Sequence, residues 1–68
     1  MTIFINGKLE SIDATTLSVH DLMDRFADGA KRGVAVAVNG SVVPKSQWET
    51  FRIENDDKVE IVRATQGG

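Results

Sequence analysis

The sequence contains no cysteine, a single histidine and a single proline. Without cysteine there is no disulfide framework, no thiolate metal site and no cysteine nucleophile. One histidine excludes a multi-histidine metal site. A large charge of one sign is missing too: 8 Lys and Arg against 10 Asp and Glu leave a net charge of −2. A weakly acidic chain with no Lys/Arg stripe is poorly suited to nucleic acid, because phosphate neutralisation dominates that affinity. It also lacks the basic face wanted at an anionic membrane surface. No apolar run approaches a membrane span. The start, M-T-I-F-I-N-G-K, shows no charged leader with a long apolar region behind it, so the expected compartment is the cytoplasm.

What is present fits one small domain. The 68 residues, 41% of them hydrophobic, allow one core that must rely on regular elements and tight apolar packing. Thr2–Ile5 and Lys8–Ile12 are strand-like runs flanking Asn6-Gly7, and Asn-Gly between such runs predicts a two-residue hairpin. Ser18 is a good helix N-cap, with Asp21 at the capping-box position, and Leu17 and Leu22 fit a hydrophobic staple. Val19, Leu22, Met23 and Phe26 fall on one stripe, so a helix of about ten residues is expected. Gly29 fits its C-terminal cap, with Lys31 and Arg32 just beyond.

Val34–Val38 reads as a strand with bulky valines on one face and small alanines on the other, and Asn39-Gly40 turns it into Ser41–Val43. Pro44 ends that strand or confines it to an edge. Lys45–Phe51 reads as a short helical or irregular segment, with Trp48 as a core anchor. Arg52-Ile53 is a brief extended piece, and Glu54–Lys58, with Asp56 and Asp57, is a solvated turn. Val59–Arg63 is the last strand. Mixed order with one helix implies an α+β fold of the β-grasp type. A mixed four- to five-stranded sheet would carry the helix across one face, with the last strand central and parallel to the first. Residues 1–63 would form the domain and 64–68 a flexible tail.

The tail Ala64-Thr65-Gln66-Gly67-Gly68 reaches on the order of 16 Å when extended. Two glycines let its backbone approach a wall or nucleotide closely. Its distinctive group is the α-carboxylate of Gly68, which is anionic at neutral pH and a poor electrophile until a leaving group is attached. If Ile3, Ile5, Val59 and Ile61 face the helix, then Phe4, Val62, Ala64 and Ala37 lie on the open sheet face, where clustered apolar residues mark a partner site. Arg63 beside them suits steering of the tail or pairing with a partner acid. His20 reads as a surface histidine, since a catalytic role would need a carboxylate or nucleophile that the sequence alone does not assign.

S-V-H-D-L-M at Ser18–Met23, V-A-V-A-V-N-G at Val34–Gly40, V-V-P-K-S-Q-W at Val42–Trp48 and the closing Gly67-Gly68 together resemble ThiS, the family of ubiquitin-like sulfur carriers of thiamine (thiazole) biosynthesis. The resemblance covers the whole chain. It implies a carrier that is not itself an enzyme, binds no cofactor and presents no metal site. A ThiF-type enzyme would adenylate the Gly68 carboxylate with ATP, and a cysteine desulfurase would supply sulfur. The resulting thiocarboxylate would serve thiazole synthase (ThiG). Gly68 would bear the sulfur, with Gly67 and Gln66 carrying it into the partner. Related readings are a carrier for another acceptor, such as a molybdopterin synthase small subunit, a protein modifier joined to lysines, or a passive β-grasp domain.

Overall fold

The computed structural model describes residues 1–26 and 33–63. The elements in order are β1 (Thr2–Ile5), β2 (Lys8–Ser11), β3 (Leu17–Ser18), α1 (Val19–Phe26), β4 (Val34–Val38), β5 (Ser41–Val43), a 3-10 turn (Lys45–Gln47), β6 (Arg52–Ile53) and β7 (Lys58–Arg63). The main sheet has the order β2-β1-β7-β4-β5. β7 runs parallel to β1, through Phe4↔Lys58 and Ile5↔Val59, and antiparallel to β4. This is the expected five-stranded β-grasp sheet with the last strand at its centre.

Both hairpins are closed by Asn-Gly. Asn6 and Asn39 have φ of 52° and 51°, and Gly7 and Gly40 have φ of 83° and 86°. Positive φ at both central residues is what a type I′ turn requires, and its twist matches that of the flanking strands. β5 lies on the sheet edge and stops at Val43, before Pro44, as the missing proline N–H demands.

The start of α1 is capped reciprocally. The Asp21 amide donates to Ser18 Oγ at 3.0 Å, and the Ser18 amide donates to Asp21 Oδ2 at 3.5 Å. Leu17 and Leu22, the staple pair, are both buried. Val19, Leu22 and Met23 are fully buried and join Ile3, Ile5, Val36, Val38, Val43 and Val59 of the sheet in one core. Phe26, the last member of the stripe, is 37% exposed at the end of the described helix. The expected C-cap at Gly29 and the cations Lys31 and Arg32 lie outside the described residues.

Leu17–Ser18 departs from the sequence reading, which treats these residues only as helix approach. They pair with Arg52–Ile53 as a second, two-stranded sheet. A two-residue pairing between segments this far apart leaves no periodic trace in either one. Trp48 is buried as expected, and its indole N–H donates to the Val43 carbonyl at 3.0 Å. That bond ties the 3-10 turn to β5 and satisfies both buried groups.

Candidate functional site

The candidate site is the exit of β7 and the sheet face around it. β7 has a neighbour on each side, but β1 turns away after Ile5 while β7 continues to Arg63. The Asn6 side chain takes over from the departing strand. Its Oδ1 accepts from the Ile61 amide at 2.9 Å, and its Nδ2 donates to the Ile61 carbonyl at 3.3 Å. The primary amide thus reproduces the donor and acceptor of a ladder residue. The Asn6 backbone amide also donates to the Val59 carbonyl at 2.9 Å.

Asn39, from the other turn, does the equivalent at the start of β7. Its Oδ1 accepts from the Lys58 amide at 3.0 Å, and its Nδ2 donates to Asp57 Oδ1 at 3.0 Å. Asp57 Oδ2 in turn accepts from the Glu54 amide at 2.8 Å. Asp57 therefore organises its loop rather than being only a solvated turn residue. Its neighbour Asp56 is exposed, with φ of 70°. The two Asn-Gly motifs, which read in the sequence only as turns, fasten the central strand near both ends.

Side-chain alternation sorts β7 as expected. Val59 is buried and Ile61 half-buried toward the helix, whereas Glu60 and Val62 are exposed on the open face. Phe4 is half-buried on that open face, and Val62 is 59% exposed. The two share the face without touching the same spot. Phe4 is level with Lys58, and Val62 lies four residues, about 13 Å, further along β7. Arg63 follows the opposite alternation. It is level with Val34, whose β4 neighbours in phase, Val36 and Val38, are buried, so it stands at the rim of the helix side rather than beside Val62. Ala64, Gln66, Gly67 and Gly68 lie outside the described residues.

Two open-face residues are absent from the sequence reading. Leu9 is level with Phe4 and 57% exposed, and Val42 is level with Ala37 and 71% exposed. The signal for both was available. A two-residue turn fixes register, so Asn6-Gly7 pairs Phe4 with Leu9, and Asn39-Gly40 pairs Ala37 with Val42. The open face then carries Leu9 and Phe4 at one side, Ala35, Ala37, Val42 and Val62 at the other, and Lys58 and Glu60 between them. An apolar surface with mixed charges at its middle suits a protein partner.

Away from this face, His20 has the carboxylates that the sequence alone did not assign. Its Nδ1 lies 3.6 Å from Asp24 Oδ2 and 4.0 Å from Asp21 Oδ1. Among the described residues, these three form a group able to offer ligand atoms within 4.8 Å of one another. Asp21 is already engaged in capping α1 and suits the positive end of the helix dipole. No helix of the described residues is long and apolar enough to cross a membrane.

Comparison with known proteins agrees with this architecture. The model of the ThiS family matches residues 3–68. The chain is 37% identical over 67 residues to the uncharacterized protein ycf40 of Trieres chinensis, covering 98% of this chain and 89% of that one. It is 29% identical over 51 residues to the sulfur carrier protein ThiS of Escherichia coli K12, covering 75% and 76% of the two chains. The crystal structure of the thiamine biosynthesis protein ThiS of Geobacter metallireducens superposes with a TM-score of 0.87 at 28% identity over the full length of both chains.

Proposed function

The chain belongs to the ThiS family of small sulfur carrier proteins, and from that premise we propose that it carries sulfur on the carboxylate of Gly68 for thiazole formation. The observation that carries this reading is the coincidence of two facts. The family match runs through residue 68, and the strand leading there is the central one, fastened by Asn39 at Lys58 and by Asn6 at Ile61. A rigid strand thereby sets where the chain leaves the domain.

The chemistry follows from the carboxylate. Its carbon is a poor electrophile while the group is anionic, as an α-carboxylate ordinarily is at neutral pH. A ThiF-type enzyme would transfer AMP from ATP to the carboxylate oxygen, releasing pyrophosphate. A cysteine persulfide loaded by a cysteine desulfurase would then displace AMP to give an acyl disulfide, and attack of a second thiol on its outer sulfur, which ends as a disulfide, would release the thiocarboxylate that thiazole synthase consumes. Gly67 and Gln66 lie within the reach that enters the partners. The open face of Leu9, Phe4, Val42 and Val62 is the docking surface, and the cytoplasm is where ATP and these partners would meet the carrier.

The test is intact-protein mass spectrometry after incubation with an adenylating enzyme, ATP and a sulfur donor. The expected product carries one sulfur in place of one oxygen at Gly68. A chain that stays unmodified under conditions that charge a known ThiS refutes the reading.

A further inference from the structure

Both turns that fasten β7 have the sequence Asn-Gly, which is also the most reactive context for asparagine. The nitrogen of the following glycine attacks the side-chain carbonyl carbon, ammonia leaves, and a cyclic imide forms. Water then opens the imide to aspartate or isoaspartate. No reagent other than water enters and only ammonia departs. In this fold Asn6, Gly7, Asn39 and Gly40 are all exposed. Space is open around both glycines, and a Cβ built on either would meet nothing within 4 Å.

The two side chains differ in what holds them. Asn39 Nδ2 donates to the carboxylate of Asp57 at 3.0 Å, and a hydrogen bond to an ionised acceptor is roughly twice as strong as a neutral one. That carboxylate also opposes the negative charge that builds on the Asn39 side chain during attack, and it would face a second carboxylate after conversion. Asn6 Nδ2 donates to the neutral Ile61 carbonyl at 3.3 Å, and no acid is placed against it by any hydrogen bond of its side chain.

We propose that Asn6 is a deamidation site, that Asn39 is its protected counterpart, and that conversion of Asn6 releases β7 two residues before Arg63. In the aspartate product, a carboxylate oxygen replaces Nδ2 and faces the Ile61 carbonyl oxygen, so a donor–acceptor contact becomes an acceptor–acceptor one. In the isoaspartate product, the main chain runs through the former side chain, and neither contact to Ile61 survives. The two turns of similar geometry thus have different chemical lifetimes, and the shorter-lived one governs the end of the strand that leads to the carrier terminus. The inference does not depend on what the terminus carries.

The experiment incubates the full chain in mildly alkaline buffer. Peptide mass spectrometry follows the amide-to-acid mass change at each Asn-Gly, and hydrogen exchange follows the Ile61 amide. The expected result is conversion at Asn6 several-fold faster than at Asn39, accompanied by several-fold faster exchange at Ile61 in the converted fraction. Asn6→Asp is expected to reproduce part of that acceleration without incubation. Equal conversion at the two sites, faster conversion at Asn39, or unchanged Ile61 exchange in converted protein overturns the proposal. So does a chain that converts at neither site while short peptides of the same two sequences convert.

Discussion

Replacing Asn6 by glycine, and separately by alanine, resolves the two things this residue does. Its amide makes two bonds to Ile61, and its backbone sits at φ 52°. Glycine keeps the backbone comfortable and removes only the amide. Two bonds at about 0.5–1.5 kcal/mol each give a loss of about 1–3 kcal/mol, and the freedom glycine adds to the unfolded chain contributes about 0.4–1 kcal/mol more. The expected loss for Asn6→Gly is therefore about 1.4–4 kcal/mol. Alanine avoids most of the unfolded-state contribution but incurs about 1–2 kcal/mol for a left-handed conformation. A domain of this size has a total stability of about 3–10 kcal/mol, so either loss is a large share of it. With a urea slope of about 1 kcal/mol/M, the midpoint falls by about 1.4–4 M for Asn6→Gly. Fluorescence of the buried Trp48 reports the transition. A loss of less than about 1 kcal/mol in Asn6→Gly, no more than glycine itself costs, would refute the reading of Asn6 as a ladder residue.

Trp48→Phe leaves the buried Val43 carbonyl without its 3.0 Å donor, which is expected to cost about 1–3 kcal/mol in a thermal melt followed by circular dichroism; no change in Tm would contradict it. Ser18→Ala removes the acceptor of the Asp21 amide and is expected to cost about 1 kcal/mol, measured by urea unfolding, with a stability equal to the parent as the contrary result. Val62→Asp on the open face is expected to leave stability within about 0.5 kcal/mol. The same change should raise KM for charging by the adenylating enzyme about tenfold, or about 1.4 kcal/mol; an unchanged KM would remove Val62 from the docking surface.

Most of the architecture was readable because strong local signals agree with one another. Asn-Gly fixed both hairpins, Ser18 and Asp21 fixed the helix start, and the alternation of Val59, Glu60, Ile61 and Val62 sorted the two faces of β7. Three features were not readable in this way. The β3–β6 pair joins two dipeptides separated in sequence by α1, β4, β5 and the 3-10 turn, and neither has a period to detect. Asn6 and Asn39 were assigned to turns, and a turn signal carries no information about where the side chain ends. Arg63 was grouped with Val62 because they are adjacent in sequence, whereas adjacency in a strand means opposite faces. Leu9 and Val42 were within reach, since register followed from the turns already identified. Gly67 and Gly68 were singled out from sequence chemistry alone, and that chemistry concerns a carboxylate rather than a packed site.

The central position of β7 also bears on how the domain is made. β7 is synthesised after every other described strand, yet it alone joins β1 to β4. Until residues 58–63 emerge from the ribosome, the chain consists of two separate hairpins with an unfilled gap between them. The sheet therefore closes after translation of this segment, through pairings of large sequence separation, which are slow to form. A chain terminated before residue 58 would lack the strand that unites the sheet and would be left open to proteolysis.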